Sequence, residues 1–150
     1  MSTTLFEDKL TQEELKEAIL SFARSRDTGA LGTMGPAGLR VSPVKYFLDD
    51  NFHIYIPSQG GSKFDNLEVN GEVCLLVASP FQEDYHQIKG VQFFGTAEVL
   101  ASASEEYAVA EKLCPWPLSS QARLIQIFCD SAVYVDRLGS AHLKQNWRYY

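Results

Sequence analysis

The shortness of the linkers between strand-like runs constrains this chain more than any other feature. Gly35-Pro36-Ala37-Gly38 separates the small, apolar run at residues 29–34 from residues 39–48, which are rich in strand formers. Asp49-Asp50-Asn51 then separates that second run from residues 52–56. Turns of this kind reverse a chain, whereas neighbouring parallel strands need a crossover of a dozen or more residues. In the third run Phe52, Ile54 and Ile56 alternate with His53 and Tyr55, the period of a strand with one face buried. Residues 73–78 are a continuous apolar strand, 90–100 a long one whose Gly95 predicts a bulge, and 124–136 a last one. Short antiparallel connections among such runs predict a small barrel.

Three helices punctuate the strands. Thr11 and Glu14 form a T-x-x-E capping box, after which Leu15, Ala18, Ile19, Phe22 and Ala23 recur at helical spacing and Arg24 and Arg26 suit the C-terminal end of the dipole. A helix of about two turns is predicted over residues 63–69, with Ser62 as its cap, ending near Asn70-Gly71. Ser104 caps a third that reaches Leu113, where Cys114-Pro115-Trp116-Pro117 stops it.

Size and charge narrow the function. At 150 residues the expectation is a single domain over 1–150 that opens with a helix, long enough to bury roughly 70% of its unfolded surface without metal or disulfide staples. A net charge of −6 and the absence of any Lys/Arg cluster argue against nucleic acid. Cys74, Cys114 and Cys129 are widely spaced, and His53, His86 and His142 stand apart from them and from one another, so no metal site is expected. The start carries Glu7 and Asp8 and no apolar leader, and no apolar run approaches a bilayer's thickness, so a cytoplasmic protein with reduced thiols and no membrane partner is predicted. No G-x-S-x-G motif anchors hydrolase chemistry.

Two segments could carry a ligand. Residues 55–63, Tyr-Ile-Pro-Ser-Gln-Gly-Gly-Ser-Lys, run a glycine loop into a helix with a lysine beside it, which is the composition of an anion site; a plain loop before a capped helix is the alternative. Arg40-Val41-Ser42-Pro43-Val44-Lys45 places two cations in an otherwise apolar strand. Five positions apart, they point to opposite faces of a regular strand, so one ligand meets both only by running along it or through a bulge at Pro43; otherwise both are simply solvated. On the 90–100 strand, Val91, Phe93 and Gly95 face one side while Gln92, Phe94 and Thr96 face the other. Phe94 is then covered either by a second subunit or by Phe22 of the first helix.

In order and spacing these residues resemble the flavin-binding split barrels related to pyridoxamine 5′-phosphate oxidase, including small FMN-binding proteins. The shared features are Arg40 to Lys45 on the second strand, Tyr55 and Ile56 on the third, Gly61-Ser62-Lys63, Asn66-Leu67, the strand at residues 73–77, and Gly95-Thr96-Ala97-Glu98. They cover residues 30–100, with a weaker continuation to 138. The resemblance implies a mainly β fold with flanking helices: a six-stranded antiparallel split barrel of Greek-key type. It implies FMN at a homodimer interface, with the phosphate on Arg40, Ser62 and Lys63. Val41, Ser42, Pro43, Val44, Lys45, Tyr55 and Ile56 would then lie along the ribityl chain and ring, and Trp116 would approach from the partner.

The chain also departs from the family. No arginine occurs between Arg40 and Arg123, so the Tyr, Arg and Ser that grip a B6 phosphate after the fifth strand are missing, and Ser62 fills a position held by arginine. Trp147-Arg148 do not reproduce the separation of the family's C-terminal flavin contacts. Pyridoxamine phosphate oxidation is therefore not expected. What remains is an FMN-dependent oxidoreductase acting on an unidentified small molecule, with no catalytic residue assigned. The alternatives are a flavin-carrying electron-transfer or binding protein served by a redox-protein partner, and the same barrel holding deazaflavin or haem.

Overall fold

The computed structural model describes residues 9–81, 83–119 and 122–149. The acidic start at residues 1–8 lies outside the described residues. Thr11 caps α1 (Gln12–Arg24) as its spacing predicts: its Oγ1 accepts from the Glu14 N–H at 3.1 Å, and the Glu14 carboxylate accepts from the Thr11 N–H at 2.9 Å. Leu15, Ile19, Leu20, Phe22 and Ala23 are its buried residues.

The strands are β1 (Thr28–Thr33), β2 (Arg40–Lys45), β3 (Phe47–Leu48), β4 (His53–Ser58), β5 (Glu72–Ala78), β6 (Lys89–Leu100), β7 (Arg123–Asp136) and β8 (Leu143–Arg148). Helix α2 (Ser62–Val69) lies between β4 and β5, and α3 (Glu105–Leu113) between β6 and β7. All pairings are antiparallel, in the order β2-β1-β5-β6-β7-β4-β3, with β8 on β7. One residue, Tyr46, joins the two end strands of that order, so the sheet curls until β2 packs near β4. This is the expected split barrel.

The six runs legible in the sequence are all strands, and two more join them. Residues 39–48 divide at Tyr46, whose N–H donates to the Asp27 carbonyl at 3.0 Å and whose hydroxyl donates to the Ala23 carbonyl at 2.6 Å. Tyr46 thus ties the strand to the end of α1 rather than to a strand partner. The addition at the C-terminus is β8, where Leu143 and Trp147 are buried and Gln145 clamps α1's approach, accepting from the Leu10 N–H at 2.9 Å and donating to its carbonyl at 2.7 Å. Trp147 meets the Phe52 ring edge-on at 4.5 Å between centroids.

Leu31, Ile54, Ile56, Leu75, Phe93 and Ile127 fill the barrel with no exposed surface, each burial worth roughly 1.5–3 kcal/mol. A second cluster lies outside the wall, where Tyr107 and Ala110 of α3 cover Phe47, Tyr55, Leu100 and Leu124. That cover explains why Tyr55, placed by alternation on the face away from the core, is only 4% exposed. The Gly95 bulge is present: the β6–β7 register shifts between Phe94 and Gly95. Phe22 packs 6.3 Å from Tyr134 in the barrel core, and Phe94 is left half-buried. Among the described residues no helix is long and apolar enough to cross a membrane.

Candidate functional site

The β4–α2 connection forms the centre of the site. Sequence reasoning makes Ser62 the helix cap, and the structure corrects this: the cap is Gly61 at φ +111°, without a side-chain cap bond, and Ser62 is the first helical residue. Only glycine adopts that backbone readily, so the chain enters α2 abruptly; the Phe64 N–H of the first turn donates back to the Gly61 carbonyl at 3.2 Å, while Ser62 and Lys63 precede any intrahelical carbonyl. Ser62 is exposed and Lys63 half-buried. The Lys63 ammonium donates to the Gly60 carbonyl at 3.0 Å, and burial, then the nearby Arg123 charge, holds its pKa below the ordinary 10.5.

Arg40 comes to the same end of the molecule through the β1–β2 hairpin. Gly38, at φ +84°, closes that turn by donating its N–H to the Gly35 carbonyl at 2.9 Å. The turn is fixed to α2 by Asn66, whose side chain accepts from the Ala37 N–H and donates to the Gly38 carbonyl, both at 2.8 Å. Helix α2 thereby packs on both strands of the hairpin. Arg40 pairs with Thr33, Ser42 with Leu31 and Val44 with Gly29, so those three β2 residues share the barrel's inner side, Val44 buried and Arg40 exposed at the rim. Val41, Pro43 and Lys45 face outward and are exposed. The parity expected of Arg40 and Lys45 therefore holds without a bulge at Pro43.

Lys45 stands at the far end of β2, its ammonium 3.4 Å from the Asp27 carboxylate and 4.6 Å from the centre of the Trp116 ring. Trp116 meets Phe47 edge-on at 5.7 Å, and Phe47 stacks on Tyr55 at 5.2 Å. Beside them is a cavity of about 400 Å³ lined by Arg24, Arg26, Tyr46, Phe47, Pro115 and Trp116 among others. In this chain, then, Trp116 packs against its own β2–β3 corner. The Tyr55 hydroxyl accepts from the Gln126 amide at 3.2 Å, and burial raises its pKa. Ile56 and Val44 point into the core, so either meets a ligand only through its backbone.

The structure thus gathers Ser62, Lys63 and Arg40 around α2 and leaves Lys45, Tyr55 and Trp116 around the other end of β2. Arg123, at the start of β7, was not among the sequence candidates. Its guanidinium lies 3.7 Å from the centre of the Phe64 ring, next to Lys63. A cation immediately before the apolar pair Leu124-Ile125 was the available signal. Lys63 and Arg123 thus give this end of the molecule positive charge on a chain whose net charge is −6. Among the described residues no three His, Cys, Asp or Glu side chains are grouped to hold a metal ion.

A family model described as pyridoxamine 5′-phosphate oxidase matches residues 15–135. No curated protein matches the sequence at a significant level. Among solved structures, a heme binding protein from Mycobacterium smegmatis superposes with a TM-score of 0.71 at 16% identity, over 95% of this chain and 60% of that one. General Stress Protein 26 from Bacillus anthracis gives 0.66 at 20% identity, over 90% and 98%. An FAD-binding protein from Mesorhizobium loti gives 0.63 at 20% identity, over 82% and 92%. At these identities the likeness is one of fold, and the chain spans three fifths of the length of the Mycobacterium protein. The family model, however, runs from the first turns of α1 to the last residues of β7, wider at its N-terminal side than the resemblance read from motifs, and the chain belongs to the pyridoxamine 5′-phosphate oxidase family.

Proposed function

We propose that this protein binds FMN at a two-fold dimer interface and works as a flavin-dependent oxidoreductase on a small molecule. The observation that carries the reading is the Lys63 ammonium beside the Gly60-Gly61-Ser62 turn, bonded to the Gly60 carbonyl but with no carboxylate partner among the described residues, and Arg40 at the end of β2 opposite Lys45. A phosphate would take the Ser62 and Lys63 N–H groups, the Ser62 hydroxyl and the two cations Lys63 and Arg40 through charge-assisted hydrogen bonds. A ligand that also reaches Lys45 must run along β2, about 17 Å at strand rise, which suits an extended flavin mononucleotide. Val41, Ser42 and Pro43, with the backbone of Val44, Tyr55 and Ile56, are the residues along that path.

Bound FMN supplies hydride and electron transfer, and the protein supplies orientation and electrostatics. Lys45, where the path ends, would favour negative charge there if it exchanged its Asp27 partner for the ligand. Support for the dimer comes from the outer sheet face. One cross-strand row there reads Val41, Gly32, Cys74, Phe94, and the next reads Pro43, Ala30, Leu76, Gln92, Val133. Val41 is 69% and Leu76 43% exposed, an apolar face of the kind that a second copy covers. Such a partner would bring its own loops, Trp116 among them, toward β2.

The test is FMN titration of the purified protein, followed by flavin fluorescence quenching and absorption. One FMN per chain is expected, with weaker binding at high salt because the grip is ionic. A Soret band, with no flavin uptake, would replace FMN by haem. Bleaching of the bound flavin by NAD(P)H separates an oxidoreductase from a carrier.

A further inference from the structure

We infer that Arg123 is a third phosphate-binding cation of the flavin site, beside Lys63 and Arg40, and makes it selective for a terminal phosphomonoester; the inference rests on the FMN reading above. Arg123 opens β7 in register with Ser58, the last residue of β4, so the β-ladder sets it beside the loop that leads into α2. Its guanidinium carbon lies 3.7 Å from the centre of the Phe64 ring, and the Lys63 nitrogen lies 5.6 Å from the same centre. Phe64 is buried in the main core, so both cations rest on a fixed platform.

Among the described residues no carboxylate stands within ion-pair distance of Lys63 or Arg123, although the chain carries 19 acidic residues against 13 basic ones. Asp65, in the first turn of α2, pairs with neither. Two like charges on one ring repel, and the Arg123 charge is one of the causes that depress the Lys63 pKa. An anion seated against both removes that repulsion. Ser62, moreover, occupies the place where the family resemblance puts an arginine beside this lysine, and Arg123 restores the missing charge from the start of β7.

The charge count favours one ligand class. A phosphomonoester carries about −1.5 to −2 at neutral pH. Each phosphate of a dinucleotide's diphosphate carries about one charge, and riboflavin has none. Lys63 and Arg123, added to Arg40, therefore gain most from FMN, less from FAD and nothing from riboflavin.

Dissociation constants for FMN, FAD and riboflavin, measured by flavin fluorescence on the full chain and on Arg123→Ala, Arg123→Lys and Lys63→Ala, test this. Arg123→Ala is expected to weaken FMN by about ten- to a hundredfold while leaving riboflavin unchanged, and to flatten the salt dependence. Arg123→Lys is expected to recover most of the loss. Thermal melts of the exposed Arg123 variants check that they fold. If Arg123→Ala keeps the wild-type preference for FMN over riboflavin while Lys63→Ala loses it, Arg123 only packs on Phe64 and the inference is overturned, with the phosphate site intact. If the wild type takes up no FMN, or Lys63→Ala binds it as tightly as the wild type, the FMN reading itself has failed and takes the inference with it.

Discussion

Asn66 on α2 donates its side-chain amide to the hydroxyl of Thr33 at the end of β1, 3.1 Å away. Asn66 has no exposed surface and Thr33 has 2%. With the bonds to Ala37 and Gly38, the amide uses both its oxygen and its nitrogen to fix the helix that carries Lys63 to the hairpin that carries Arg40. A buried amide so fully engaged specifies one relative placement of the two cations.

Replacing Asn66 by Ala strands the Gly38 carbonyl, the Ala37 N–H and the Thr33 hydroxyl. A loss of about 2–4 kcal/mol in unfolding free energy is expected from those groups and the cavity. Urea denaturation measures it, and FMN affinity should fall along with it. A variant as stable as the wild type would mean that water replaces the amide without cost.

Two glycines should behave in opposite ways. A Cβ on Gly95 would sit 2.1 Å from the Phe128 carbonyl oxygen and 2.9 Å from its carbon, both backbone atoms in the β7 ladder. Gly95→Ala must therefore open the bulge, at about 3–5 kcal/mol. A Cβ on Gly60 meets nothing within 4 Å and its backbone is not in the left-handed region, so Gly60→Ala should leave stability within about 0.5 kcal/mol of wild type. Parallel thermal melts compare them.

What the sequence made legible follows period and punctuation. Thr11, Ser104 and Gly95 act locally through caps and a bulge, so neighbours in sequence suffice to place them. Arg123 and Asn66 matter through partners far away in the chain, Phe64 and Thr33, which only the barrel's closure brings close. Strand β8 lies between these cases. Leu143, Gln145 and Trp147 do alternate with Lys144, Asn146 and Arg148, but a six-residue polar run carries too little apolar signal until Phe52 and α1 supply its packing. A serine before a helix usually caps it, but here the positive φ of Gly61 moves the helix start by one residue, onto Ser62.

FMN affinity should depend on pH through Lys63. Burial and Arg123 lower its pKa in the free protein, so it loses its proton, and its hold on phosphate, at a lower pH than the ordinary 10.5. Affinity is therefore expected to be full at neutral pH and to fall as pH rises through the lowered value, with Lys63→Ala flat over the same range. Because a bound dianion favours the charged lysine, binding should be accompanied by proton uptake in that range, measurable by calorimetry in buffers of different ionisation enthalpy. A wild-type profile as flat as that of Lys63→Ala would remove the ammonium from the phosphate grip.

The outer face of β2, β1 and β5 supplies the last prediction. Leu76 projects from it beside Ala30, with Pro43 one strand further on, and Val41, Gly32 and Cys74 form the adjacent row. In a monomer these residues meet water, so a glutamate at Leu76 or Val41 costs little and thermal stability should hold. In a two-fold dimer each substitution buries a carboxylate twice, once from each copy, with no cation on those rows to pair it, a penalty of several kcal/mol. Sedimentation is therefore expected to give a dimer for the wild type and a species near 16.8 kDa for Leu76→Glu and Val41→Glu, with FMN uptake reduced in both. A wild-type monomer that holds one FMN per chain would show that a single barrel completes the site, and the apolar rows would then need another partner.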